Sequence, residues 1–191
     1  GNISINTVDG SIAVVGGKGN ITLNSVEGGV TLDGAEGNIA LVSVDGDVTV
    51  SRSSGVISVQ NVDGDISLDG ITSDNVEVNT VDGDLGYRGT IHDDGRYFLS
   101  THDGDVRVTV PDGTNARVSV STFSGDMEAD LPVTLSGGID QRSFSFTIGS
   151  GNTANVPSMI SCFLVSISAC ISSETEGPNG AMSTMPSAMF P

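Results

Sequence analysis

Glycine recurs every nine residues through the first third of the chain. The period runs without a break through Gly1, Gly10, Gly19, Gly28, Gly37, Gly46, Gly55 and Gly64. A fixed period of this kind indicates a repeat architecture, in which one unit cannot bury its apolar face alone and stacked units share a continuous core. The 191-residue chain is therefore predicted to be a stack of similar units.

Within each nine-residue unit the pattern is that of a short strand. Counted from the glycine, the third and fifth residues are aliphatic and the fourth is small, as in Ile21-Thr22-Leu23. Successive side chains of a strand point to opposite faces, so the aliphatic pair faces a core. The eighth residue alternates between valine and a smaller residue, as in Val26 and Ala35. Two unlike nine-residue halves therefore make one coil.

Later glycines are more widely spaced. After Gly64 the pattern continues at Gly83, Gly104 and Gly125, so these coils are slightly longer than two nine-residue units. The additional residues fall in the polar stretches 70–75, 92–96 and 111–115, which we expect to be loops. The pattern predicts an all-β fold, a single-stranded parallel β-solenoid (β-helix) with about 18–21 residues per coil, flattened into two sheets. A sandwich of antiparallel hairpins is the alternative, because Asp-Gly is also a hairpin turn.

Acidic residues flank the repeated glycine on both sides. Stacked coils would place them in two columns about 4.8 Å apart per step. Asp carboxylates suit turns because they accept backbone N–H groups, and facing columns of carboxylates are also ligands suited to Ca²⁺. The sequence leaves both interpretations open. The residues of the calcium hypothesis are Asp45, Asp47, Asp63, Asp65, Asp82, Asp84, Asp103 and Asp105.

Several of these units resemble a known repeat. The stretches NTVDGDLG (79–86), STHDGDVRVTVPDG (100–113), STFSGDMEADLP (121–132) and FTIGSG (146–151) resemble the proposed-adhesin β-strand-repeat family, a domain of unknown function common in surface and envelope proteins. The resemblance covers about residues 1 to 151. It implies an extracytoplasmic β-solenoid with no established catalytic residues.

The chain departs from that pattern after residue 151. We expect a repeat domain over 1–151, an atypical apolar terminal strand over 152–173 and a flexible tail over 174–191. The apolar strand would either close the last coil or be donated to a neighbouring molecule. Cys162 and Cys170 would be too far apart on one extended strand to form a disulfide. The alternating residues proposed for assembly are Phe163, Val165, Ile167, Ala169 and Ile171.

Net charge and composition limit the classes of function that the chain can have. A net charge of -17 argues against nucleic-acid binding, which needs a basic surface, and is also typical of proteins that stay soluble at high salt. His92 and His102 are interpreted as exposed turn residues, and we expect no catalytic residues and no transmembrane segment. The sequence predicts an extracellular, cell-surface structural or adhesive protein that assembles head to tail into a filament, with calcium as a candidate ligand. The alternative is a monomeric β-helix that binds or degrades carbohydrate.

Overall fold

The computed structural model describes residues 1–92, 95–111 and 114 in full, and the backbone of the strands beyond residue 115. Every regular element in that part of the chain is a β-strand. In chain order the strands are β1 (Ile3–Asp9), β2 (Ile12–Val15), β3 (Lys18–Glu27), β4 (Val30–Asp33), β5 (Glu36–Val42), β6 (Val48–Ser51), β7 (Ser54–Gln60), β8 (Ile66–Asn79), β9 (Leu85–Gly89), β10 (Arg96–Thr101), β11 (Val106–Pro111), β12 (Ala116–Ser124), β13 (Met127–Ala129), β14 (Val133–Leu135), β15 (Ser143–Ile148), β16 (Met159–Ser166) and β17 (Ala169–Glu174).

The strands form two sheets that share β8. The first sheet has the order β1-β3-β5-β7-β8-β10-β16-β12-β15-β14. The second has the order β2-β4-β6-β8-β9-β11-β17-β13. These pairings are parallel, except for those that β15 makes with β12 and β14. Each coil of the chain therefore adds one strand to each sheet.

Neighbouring coils align equivalent residues. Ile21 lies opposite Ile39 and Ile39 lies opposite Ile57, so the chain advances by two nine-residue units per coil. Parallel pairing at a constant offset confirms the predicted two-sheet β-solenoid. The hairpin sandwich is wrong for these coils, because strands joined by two-residue turns would pair antiparallel.

The core lies between the two sheets. Ile21 and Leu23 from the first sheet and Val30 and Leu32 from the second are all fully buried, while the intervening Thr31 is exposed. This is the alternation that the sequence predicts. Each fully buried aliphatic side chain contributes about 2 kcal/mol by leaving water, so stacking coils supplies the stability that one coil lacks.

Residues 70–75, which the sequence predicts to be a loop, belong instead to β8. This 14-residue strand begins in the second sheet and continues into the first. Ile71 and Ser73 are buried inside it, and the extra length is absorbed by register shifts between Gly55 and Val56 and between Asp69 and Ile71. The loop prediction is wrong because a bulge can accommodate an extra residue without breaking the strand. Residues 93, 94, 112, 113 and 115 of the other predicted loops lie outside the described residues.

Two tyrosines fill the wider coils. Tyr87 lies opposite Leu68 and Tyr97 lies opposite Val76 in the preceding coil, and both are buried. Their ring centroids are 5.8 Å apart at an interplanar angle of 67°. The Tyr97 hydroxyl donates to the carbonyl of Ser73 at 2.6 Å, so a bulky side chain closes the added space and its polar end is satisfied.

The last two strands lie inside the stack. Tyr97 of β10 and Val118 of β12 both pair with Ile160 of β16. Val106 of β11 and Met127 of β13 both pair with Ala169 of β17. The strands β16 and β17, here called the inserted rung, therefore separate two coils that are consecutive in the sequence.

This placement differs from both positions that the sequence left open for the apolar segment. The five residues proposed for assembly do not share one strand: Phe163 and Val165 lie in β16, Ala169 and Ile171 lie in β17, and Ile167 lies outside the described residues. The segment changes sheets because a coil must turn at each corner. Cys162 and Cys170 accordingly lie in different sheets. The segment boundaries 1–151, 152–173 and 174–191 stay a prediction, and residues 175–191 are outside the described part.

Candidate functional site

The repeated glycine forms a tight corner between the two sheets. Gly46 has a φ of +127°, and a Cβ at this position would lie 2.7 Å from the carbonyl carbon of Gly28 in the preceding coil. Gly64 repeats this arrangement one coil later, with a φ of +120° and a contact of 2.8 Å to Gly46. Positive φ and close backbone approach both favour glycine, so both account for the nine-residue period.

A buried polar side chain precedes each corner by three residues. Ser25 donates to the carbonyl of Gly28 at 2.9 Å. Asn61 donates through Nδ2 to the carbonyls of Gly46, Asp63 and Gly64 at 3.2, 3.2 and 3.0 Å. These bonds supply donors to turn carbonyls, of which the Asp63 carbonyl also accepts the Gly46 amide at 3.1 Å. The buried members of this column are Ser25, Ser43, Asn61, Thr80 and Thr101.

The first acidic column contains the residue before each glycine. Its backbone forms a ladder of parallel bridges from coil to coil: Glu27 to Asp45, Asp45 to Asp63, Asp63 to Asp82 and Asp82 to Asp103. The side chains of this column are exposed. The backbone ladder therefore fixes a row of carboxylates along one edge of the solenoid. The first acidic column is Asp9, Glu27, Asp45, Asp63, Asp82 and Asp103.

The second acidic column contains the residue after each glycine, and its carboxylates make structural hydrogen bonds. Asp47 Oδ1 accepts the amide of Asp65 at 3.0 Å, and Asp65 Oδ1 accepts the amide of Asp84 at 2.9 Å. Asp84 Oδ1 accepts the amide of Asp105 at 2.8 Å. Each carboxylate thus reaches the backbone of the next coil. The interpretation of these residues as acceptors of backbone N–H groups is confirmed, although the bonds run between coils.

Approximate interaction energies explain why a column of like charges is tolerated in the folded protein. Two charges 4.8 Å apart repel by about 1 kcal/mol in water, whereas a hydrogen bond to a charged acceptor contributes about 1.5–3 kcal/mol. The N–H bonds of the second acidic column therefore offset its repulsion. In the fully described ranges, no three or more His, Cys, Asp or Glu side chains are grouped so that they could hold a metal ion. The calcium hypothesis stays a prediction.

The two histidines and the two buried tyrosines are the remaining titratable residues of interest. His92 and His102 are exposed, and the His92 backbone amide donates to the Tyr97 hydroxyl at 3.0 Å. Burial raises the pKa of Tyr87, and the neighbouring Tyr97 raises it further. Burial also raises the pKa of Tyr97, with an opposing effect from the His92 amide. These tyrosines support the wide coils and are held neutral by their surroundings.

A row of exposed valines lies beside this corner, and it was not predicted from the sequence. A valine precedes each of the first five residues of the first acidic column and points outward instead of into the core, whereas His102 precedes Asp103. The exposed fractions are 73% for Val8, 42% for Val26, 42% for Val44, 47% for Val62 and 49% for Val81. The sequence signal was the valine at the eighth position of odd units, which was used only to mark the length of the coil. Strand alternation from the buried Leu23 and Ser25 places Val26 on the outside. We call these five residues the valine stripe.

Together these features define the class of protein. The parallel coils, glycine corners and acidic columns are those of a β-solenoid repeat protein. The chain belongs to the Toastrack family (DUF4097), a family of unknown function, which matches residues 1–154. No curated protein and no solved structure matches the chain. Within the described residues, no helix has the length and apolar character needed to cross a membrane.

Proposed function

We propose that this chain is a non-enzymatic structural or adhesive module at the cell surface, and that copies stack head to tail into a filament. The observation that supports this proposal is the shape of the first coil. Gly10 has a φ of +99° and no atom within 4 Å of an added Cβ, whereas a Cβ on Gly28 would lie 2.8 Å from the Gly10 backbone. The first described coil therefore has the corner geometry of an interior coil, so a coil of a second copy would stack on Gly10 as Gly28 does.

The core next to that open edge is only partly covered. Ile3, Ile5 and Val14 are partly buried and pack against the core, and β1 pairs with β3 along one edge. A free edge of a parallel sheet presents unpaired N–H and C=O groups that can accept a further strand. A second copy placed there would cover the apolar residues and extend both sheets. Contacts between unlike ends of identical subunits propagate instead of closing.

The surface location is supported by composition and by the repeats. The chain has 24 acidic residues against seven basic ones, which keeps subunits soluble before assembly. Its repeats resemble a domain common in surface and envelope proteins. Calcium remains a candidate ligand of the acidic columns, because divalent cations would reduce the repulsion between stacked subunits.

Electron microscopy and sedimentation of the 191-residue chain test the assembly. We expect filaments whose average mass rises with concentration. Ile5→Lys places a charge at the open edge and should abolish them, while the matched Thr31→Lys on the exposed face of an interior coil should not. A wild-type protein that stays monomeric at all concentrations would contradict the proposal, and so would equal assembly of the two variants.

A deletion tests whether subunits contact each other through the first coil or through the C-terminal segment. Removing residues 152–191 should leave the open first coil unchanged. Undiminished fibres would exclude the C-terminal segment as the joint and support the first coil. This deletion also removes the inserted rung, so loss of fibres, with the Ile5→Lys variant assembling normally, would contradict the first coil as the joint. A monomer that binds or cleaves polysaccharide would support the carbohydrate alternative.

A further inference from the structure

The valine stripe is an exposed apolar row on the described part of the solenoid. Its five members occupy successive coils, because the parallel bridges Glu27 to Asp45, Asp45 to Asp63 and Asp63 to Asp82 hold the adjacent residues in register. Val42, two residues before Val44, is itself 39% exposed and widens the row. Contiguous exposed apolar surface on a soluble protein marks an interaction site more often than scattered single residues do.

The borders of the stripe differ in charge. On one side the first acidic column follows each valine directly in the sequence and is exposed. On the other side lie uncharged side chains, among them Asn6 and Asn24, which hydrogen bond to each other at 2.6 Å. The stripe is therefore an apolar row with a negative border along one edge, on a chain with a net charge of -17.

This charge distribution distinguishes between partners. A second copy docking stripe to stripe would bring two acidic columns together, and an anionic membrane would be repelled in the same way. A segment with apolar and cationic side chains would gain from both parts of the surface. Five coils spaced by about 4.8 Å give a row of about 19 Å, which is the length of about 13 residues of α-helix.

We propose that the valine stripe and the first acidic column bind a basic amphipathic helical segment of a partner protein. The apolar face of the helix covers the valines, and its lysine or arginine side chains face the carboxylates. This surface lies along the side of the solenoid, whereas head-to-tail assembly uses the end, so the inference does not depend on the proposed function.

The test is binding of a synthetic helical peptide of about 14 residues, built of leucine and lysine with apolar residues on one face. Titration calorimetry would compare wild type with the double variant Val44→Thr and Val62→Thr, which keeps shape and charge. We expect about tenfold weaker binding, since each variant removes an apolar methyl group from the contact. Val56→Thr, at a valine that is 41% exposed outside the stripe, is the matched control and should bind as wild type does.

A second pair of variants tests the charge. Asp45→Asn with Asp63→Asn should weaken binding more than Asp69→Asn with Asp74→Asn, which removes the same number of charges elsewhere. Binding that follows net charge alone, with the two double aspartate variants equal and the stripe valines without effect, would overturn the proposal. Self-association or binding to anionic vesicles that is lost on Val44→Thr with Val62→Thr would also overturn it, by assigning the stripe to a different partner.

Discussion

Two parts of this solenoid stack their coils in different orders. In residues 1–111, here called the chain-ordered part, each coil lies next to the coil that precedes it in the sequence. Beyond it, the inserted rung separates β10 from β12 and β11 from β13. Both parts use the same two sheets, and apart from the antiparallel pairings of β15 their strands are parallel, so the main difference lies in which coil is the neighbour.

The registers show what the repeat determines. Tyr97 and Val118 face the same residue of the inserted rung, and so do Val106 and Met127. The interval along the chain is the same for both pairs, and it equals the interval between Gly104 and Gly125. The two coils thus keep the register that direct pairing would give them. The repeat fixes the length and register of a coil, but every coil offers similar parallel edges, so the repeat alone does not fix the order of stacking.

Substitution of a corner glycine should cause the largest loss of stability in the chain-ordered part. Gly46→Ala should lower the free energy of unfolding by about 3 kcal/mol or more, because it adds backbone strain at positive φ and a collision with the preceding coil. Gly10→Ala has the same kind of strain with no neighbour in contact, and should cost only about 1 kcal/mol. Urea unfolding at low protein concentration measures the difference. Equal losses would show that close stacking at the corner contributes little.

The buried polar column should have the next largest effect. Asn61→Val removes the donor that serves the carbonyls of Gly46, Asp63 and Gly64. Leaving buried acceptors without a partner costs about 2 kcal/mol. Gln60→Val, at the exposed neighbouring position, is the control and should be nearly neutral. If the two variants unfold at the same urea concentration, the column does not hold the corners of the chain-ordered part.

Tyr87 and Tyr97 lie where the wide coils begin. Their raised pKa values predict that the free energy of unfolding depends on pH. Both pKa values are raised above the ordinary value of 10.0 in the folded state. The folded state therefore holds its phenolic protons more tightly, so stability is complete below pH 10 and falls as the pH rises towards the folded values. The slope should approach about 1.4 kcal/mol per pH unit for each tyrosine. Unfolding measured from pH 8 to 11 should show a shallower decline for Tyr87→Phe, and an unchanged slope would contradict burial of this residue.

The second acidic column should give the smallest effect. Asp65→Asn keeps an oxygen acceptor for the Asp84 amide and removes one repelling charge, so we expect a change within about 0.5 kcal/mol. Asp65→Ala removes the acceptor and should be less stable than Asp65→Asn. Thermal unfolding in NaCl, MgCl₂ and CaCl₂ at equal ionic strength tests whether the second acidic column binds a metal ion. Screening predicts equal shifts with Mg²⁺ and Ca²⁺, and a larger shift with Ca²⁺ that Asp65→Asn abolishes would establish a calcium site.

The fold of the chain-ordered part was largely predictable because its signals are local. The glycine period and the alternation of Ile21, Thr22 and Leu23 determine the corner, the strand and the inward face. The inserted rung was not predictable, since its neighbours are chosen among similar edges far apart in the sequence. The hydrogen bond from the Asp65 amide to the Asp47 carboxylate was also not predictable, because it depends on which amide of the next coil lacks a backbone acceptor. The outward direction of Val44 follows strand alternation, because Leu41 and Ser43 are buried while Val42 and Val44 are exposed. Alternation does not show that the exposed valines of successive coils lie in one row.

Disulfide trapping tests whether register, and not chain order, defines the neighbours. In a Cys162→Ser background, Arg107→Cys should crosslink within one chain to Cys170, its register partner in the inserted rung. Thr31→Cys with Thr49→Cys, in a chain with both native cysteines replaced by serine, is the positive control for adjacent coils. Peptide mapping after mild oxidation should find both crosslinks. A crosslink in the control with none between positions 107 and 170 would contradict the inserted rung, and failure of both would contradict parallel stacking itself.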